Sequence, residues 1–67
     1  MDASFDLLAV SPREAFRMLG VGNTYGYELL AAGELESYKD GRLRRITVRS
    51  IKARQERLLA QSKMEAA

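Results

Sequence analysis

Two short stretches carry the side chains with most to offer chemically: Asn23-Thr24-Tyr25, and Lys39-Asp40-Gly41-Arg42-Leu43-Arg44-Arg45. The first presents hydrogen-bond donors and acceptors, and the second groups cations around a turn. Neither is equipped for making or breaking bonds. The 67 residues include no cysteine and no histidine, which removes Cys–His and Ser–His nucleophilic sites and the commonest general base. It also removes disulfides and zinc held by cysteine or histidine. Carboxylate pairs remain, but so short a chain leaves little room for a cleft that buries a substrate. No catalytic residue, cofactor or metal site is expected.

What remains is binding, and the charge distribution says to what. The formal net charge is only +2, from 11 Lys+Arg and 9 Asp+Glu. Met1–Glu36 holds 2 basic and 6 acidic residues, a net −4, whereas Ser37–Ala67 holds 9 basic and 3 acidic, a net +6. Such asymmetry points to a polyanionic partner for the second half, with a solvated helix face as the plain alternative. No apolar run is long enough to span a bilayer, and Met1-Asp2 lacks the basic start of a secretory signal. A cytoplasmic protein without membrane contact is expected.

These side chains need a scaffold, and one domain covering residues 1–67 is expected, with 1–6 and 63–67 flexible. Phe5 is expected to tuck onto the core, and Leu7–Val10 to form an extended lead-in. Ser11-Pro12-Arg13-Glu14 signals a helix start: Ser11 caps, Pro12 takes the first helical position and Glu14 completes a capping box. Ala15, Met18 and Leu19 fall at helical spacing, with Phe16 widening the apolar face, and Gly20 stops the helix. A second helix is expected over Thr24–Ala32, capped by Gly22 or Asn23, with Tyr27, Leu30 and Ala31 on one side and Leu29 beside them. Gly33 closes it. Two short helices across a glycine-bearing turn give a helix-turn-helix outline.

Leu35–Lys39 and Leu43–Ile46 read as strands flanking Asp40-Gly41, a hairpin signal. Strict alternation puts Arg42, Arg44 and Ile46 on one face. A hairpin tip projecting past the core reconciles them, with Ile46 packed at its base. Thr47 is expected to cap a last helix from Val48 to about Gln61, with Val48, Ile51 and Leu58 inward and Lys52, Arg54 and Arg57 on a solvated face. The order is ααββα, an α+β fold.

In this order, Leu19-Gly-Val-Gly22, Tyr27-Glu-Leu-Leu-Ala-Ala-Gly-Glu-Leu35, Lys39-Asp-Gly-Arg42 and Arg45-Ile-Thr-Val48 resemble the excisionase-type winged helix-turn-helix family, with its MerR-like fold. The resemblance covers about Leu7–Leu59. Glu36 and Thr47 stand where members commonly carry proline, and Asp40 where the wing is often apolar.

The resemblance implies double-stranded DNA as partner, read in the major groove by the second helix and in the minor groove by the wing. Asn23, Thr24 and Tyr25 then meet bases or the backbone. Asn suits adenine and Thr a thymine methyl, although both residue types also serve as plain helix caps. Tyr25 reads either as a phenol over DNA or as a partner contact, and Tyr27 as core. Gly26 is expected to allow close approach to the DNA backbone. Glu28 can accept from cytosine N4, or simply pair with a neighbouring arginine. Lys39, Arg42 and Arg44 form the wing's cationic tip, Arg45 and Arg49 meet phosphates, and Arg13 anchors the opposite flank.

One such module covers roughly 600–1,000 Å² and binds weakly alone, so neighbouring copies on DNA are expected, and an integrase is the further partner implied. The function so implied is that of a recombination directionality factor, associated with the nucleoid. A small transcriptional regulator of the AlpA type, or a protein-interaction module that never touches nucleic acid, are the other readings.

Overall fold

Ser11 opens the first helix as its sequence requires. Its hydroxyl accepts from the Glu14 N–H at 3.2 Å, and Pro12 supplies the first helical turn without a donor to satisfy. The computed structural model describes residues 8–66. It runs β1 (Ala9–Val10), α1 (Pro12–Leu19), α2 (Asn23–Ala31), β2 (Ser37–Asp40), β3 (Leu43–Thr47) and α3 (Val48–Ala66). Met1–Leu7, and with them the expectation for Phe5, lie outside the described residues.

Both short helices end in the same way. Gly20, at φ 72, turns the chain while its N–H reaches the Arg17 carbonyl and Val21 N–H reaches Phe16. Gly33, at φ 76, does likewise, with its N–H on Leu30 and Glu34 N–H on Leu29. Each is a Schellman ending, which satisfies last-turn carbonyls and needs the left-handed backbone that glycine adopts without strain.

The lead-in does more than expected. Ala9 and Val10 pair antiparallel with Thr47 and Ile46, and β3 becomes the centre of a three-stranded antiparallel sheet ordered β1-β3-β2. The Val48 N–H also donates to the Leu8 carbonyl at 2.8 Å, joining the lead-in to the start of α3. The result is α+β, with three helices and one sheet among the described residues, and it is compatible with a winged helix-turn-helix. In the hairpin, Asp40 pairs with Leu43, so the two loop residues are Gly41 and Arg42. Gly41 takes the first loop position at φ 65, where tight hairpins demand glycine.

The core is Ala15, Phe16, Leu29, Leu35, Ile46, Val48 and Ile51. Phe16 organises the helices, because a Cβ on Gly26 would lie 2.5–2.7 Å from its ring atoms. Gly26 therefore faces the core, where its bare backbone makes room for Phe16; the close approach expected toward DNA is made to a ring instead. Tyr27, expected in the core, is about half exposed and meets Phe16 edge-on at 5.1 Å. Met18 and Leu58 are also close to half exposed. With Leu19, Ile51, Arg54, Gln55 and Leu59 they line an open groove of about 240 Å³ between α1 and α3.

The last helix runs to Ala66 rather than Gln61, through Ala, Gln, Lys, Met and Glu, all good helix formers. Its inner stripe holds only as far as Ile51. The next inward position is Arg54, 8% exposed and not on a solvated face as its charge suggested.

Replacing Gly26 tests the role of Phe16. Alanine favours a helix by about 1 kcal/mol over glycine, yet overpacking a filled core costs about 1–3 kcal/mol. Gly26→Ala should therefore lower stability by up to about 2 kcal/mol in urea unfolding; a stabilised variant would show that the ring yields freely.

Candidate nucleic-acid interface

Asn23 and Thr24 stand exposed on the first turn of α2. The cap is Gly22, so no side chain satisfies that turn, and no acid stands in it. The contrast with α1, which has both Ser11 and Glu14, is direct. An uncapped N-terminus keeps its N–H groups and its positive dipole end available to an acceptor or anion. Since Asn23 is not the cap, its amide is not engaged in capping. Glu28 lies one turn beyond Thr24, exposed and without an ion pair among the described residues.

The hairpin supplies charge. Lys39 is directly opposite Arg44, and Ser37 opposite Ile46, so this face passes from buried Ile46 at the base to two facing cations. Arg44 Nη1 donates to Ser37 Oγ at 2.9 Å, which lays the guanidinium back across the strand pair. Arg42 occupies the loop itself. On the other face Tyr38 pairs with Arg45, and Asp40 with Leu43. Lys39, Arg42, Arg44 and Arg45 make no ion pair among the described residues, and neither does Arg13 on exposed α1 surface.

Other cations are committed internally. Arg49, expected to meet phosphate, is held bidentately by Glu36, with Nε 2.8 Å from Oε1 and Nη2 3.0 Å from Oε2. Thr47 Oγ1 donates to the same Oε1 at 2.9 Å, and Thr47 N–H to the Glu36 carbonyl at 3.0 Å. Two positions that depart from the resembled pattern, Glu36 and Thr47, thus bond to each other and join the entry of β2 to the start of α3. The Arg49 hydrogen bonds, then that of Thr47, hold the Glu36 carboxyl below the usual glutamate range. The carboxylate in turn keeps Arg49 still more firmly protonated.

Glu34 pairs with Arg57, and its Oε1 is 4.0 Å from Arg54 Nε. Arg54 Nη2 donates to Tyr25 Oη at 3.3 Å, with the guanidinium 5.9 Å from the ring centroid. Tyr25, read from sequence as a surface phenol, is half exposed but tied to α3 through its hydroxyl. The sequence does not single out Glu34, and it puts Arg54 on a solvated face, where the structure does not place it. The spacing Ile51-Arg54-Leu58 did carry a signal for Arg54, because it follows the inward stripe; its charge argued the other way.

Over 48 residues, 72% of its length, the chain is 50% identical to a protein of Saccharopolyspora erythraea named a probable excisionase. The chain spans about half the length of that relative, of which 49% is matched. No family model and no solved structure matches it. The likeness supports the excisionase-type resemblance. Among the described residues no helix is long and apolar enough to cross a membrane. Nor does any group of acidic residues gather there that could hold a metal ion.

The Glu36 node has a pH signature. Its folded-state pKa is depressed, so its contribution is complete above the unfolded glutamate value, about 4.3, and is lost as pH falls through the lower folded value. Stability measured in urea at about pH 6 and about pH 3.5 should fall less for Glu36→Gln than for the parent chain. An NMR titration should place the Glu36 midpoint below ordinary glutamate. A midpoint at or above it would sink the assignment.

Proposed function

We propose that the chain is an excisionase-type DNA-binding protein with a winged helix-turn-helix fold. In this reading α2 enters the major groove and the β2–β3 hairpin is the wing, set into the neighbouring minor groove. One observation carries it. Lys39 and Arg44 face each other beside Arg42, and among the described residues no acid is paired to any of the three, while Arg17, Arg49 and Arg57 each meet a carboxylate. Opposed like charges repel, and a phosphate chain drawn alongside them turns that repulsion into attraction. The identity to a protein named a probable excisionase supports the same reading.

Exposure and placement support the following roles. Asn23 and Thr24, exposed on an uncapped helix end, read base edges, with Asn23 suited to a bidentate pair on adenine. Glu28, one turn on, accepts from cytosine N4. Arg42 and Arg44 enter the narrow, strongly negative minor groove of A·T-rich DNA. Lys39, Arg45 and Arg13 contact phosphates. Arg49 belongs to the scaffold through Glu36.

A single module of this size buries roughly 600–1,000 Å² and binds weakly, so several copies occupy neighbouring sites. Together they bend attachment-site DNA and direct an integrase toward excision of a mobile element. The protein catalyses nothing itself; it sets the DNA geometry that the recombinase meets. It works in the cytoplasm, on the nucleoid.

Mobility-shift titration over a salt series tests the charge argument. Log affinity should fall with log salt at a slope of about −4 per copy, for ~4 phosphates neutralised, and Arg42→Ala with Arg44→Ala should reduce that slope by about 2. A flat response contradicts the wing assignment. Asn23→Ala should erase ~1–3 kcal/mol of base preference at one position; equal weakening on all sequences means that Asn23 reads no base. Footprints on DNA flanking the gene should cover attachment sites, and protection confined to a promoter would assign the protein to transcriptional regulators of the same fold.

A further inference from the structure

Arg54 presents a physical problem. It is a cation 8% exposed, its Nε is buried with no hydrogen-bond partner, and the nearest carboxylate oxygen, on Glu34, is 4.0 Å away. Its clearest bond is the 3.3 Å contact to the Tyr25 hydroxyl. Burying a guanidinium on these terms is costly, and an apolar side chain of similar length would extend the inward stripe of Val48 and Ile51 at less expense. Stability alone does not call for an arginine here.

The second half of the problem lies in α2. Its first turn has Gly22 as cap, no side-chain capping bond and no acid in it. The turn on which Asn23 and Thr24 stand is closed by its backbone bond from Gly26 N–H to the Gly22 carbonyl and has no side-chain cap to reinforce it. Tyr25 is on that same turn, and Arg54 grips it from α3. The grip is itself anchored, because Arg54 sits beside Glu34, which follows α2 and is paired with Arg57. Tyr25, Arg54, Glu34 and Arg57 thus tie both ends of α2 to one helix.

We infer that Arg54 is a positioning residue for base readout: through Tyr25 it fixes the first turn of α2, so that Asn23 and Thr24 are presented in one orientation. Being buried, it touches no DNA. Its loss leaves the hairpin cations, and therefore general affinity, in place while letting the reading turn fray. Buried polar links of this kind set geometry more than they add stability.

The consequence for DNA rests on the proposed function, whereas the mechanics can be checked without DNA. In Arg54→Met and Tyr25→Phe, amide exchange at Gly26, whose N–H donates to the Gly22 carbonyl at 2.9 Å, should quicken at least tenfold while β3 amides keep their rates. On DNA, both variants should keep the parent salt slope and lose about fivefold to tenfold in the ratio of specific to non-specific affinity. Unchanged exchange at Gly26 in both variants overturns the inference. So does a loss of discrimination in Tyr25→Phe but not in Arg54→Met, which would make Tyr25 a direct DNA contact. If the parent chain binds no DNA, the proposed function fails, and the exchange rates still decide whether Arg54 holds the turn.

Discussion

The packing of the Phe16 ring against the bare backbone of Gly26 is the constraint from which the rest of the molecule follows. Seven apolar residues are buried among those described, a small core in which each close contact between two short helices counts. One ring seated where a Cβ would otherwise stand brings α1 and α2 close and leaves Tyr27 edge-on beside it. The Schellman turn at Gly20 starts from the Phe16 carbonyl, so the same residue also sets the direction in which the chain leaves α1. The exposure of Asn23 and Thr24 is a result of this arrangement.

A second ordering principle is the sorting of charge. The acidic first half and basic second half do not remain apart in the fold. Glu14, Glu34 and Glu36 each take an arginine, the last two across a long stretch of sequence. These pairs are mostly exposed and add little stability singly. Their effect is to engage cations elsewhere selectively, leaving Lys39, Arg42, Arg44 and Arg45 without an ion pair among the described residues, although Asp40 stands beside the same turn. The net +2 of the chain understates how positive that one edge is.

Where local chemistry decides structure, the sequence was legible. Ser11-Pro12, Gly20, Gly33 and the turn glycine Gly41 mark boundaries by rules of backbone geometry, and each marks one here. The hairpin loop lay one residue later than Asp40-Gly41 suggested, because a tight loop wants glycine first and so takes Arg42 as its second member. Partnership at a distance was not legible. The pairing of Ala9-Val10 with β3, the inward turn of Gly26 and the burial of Arg54 depend on what arrives from elsewhere in the chain. From sequence Arg49 is assigned to phosphate and Tyr25 to DNA or a partner, because Glu36 and Arg54, which engage them in the fold, carry no local signal for pairing. Of the candidate site, exposure at Asn23, Thr24, Glu28, Lys39, Arg42 and Arg44 agrees with the reading from sequence.

Between Thr47, the last residue of β3, and Val48, the first of α3, no linker intervenes. A strand of about 17 Å runs straight into a rod of about 28 Å, by their ordinary rises per residue. With β1 on one flank of β3 and β2 on the other, the junction is clamped against swivelling. Ile46, fully enclosed one residue before the end of β3, anchors the junction to the core. A displacement of the hairpin therefore bears directly on the first turn of α3, with no linker residue between them to absorb it.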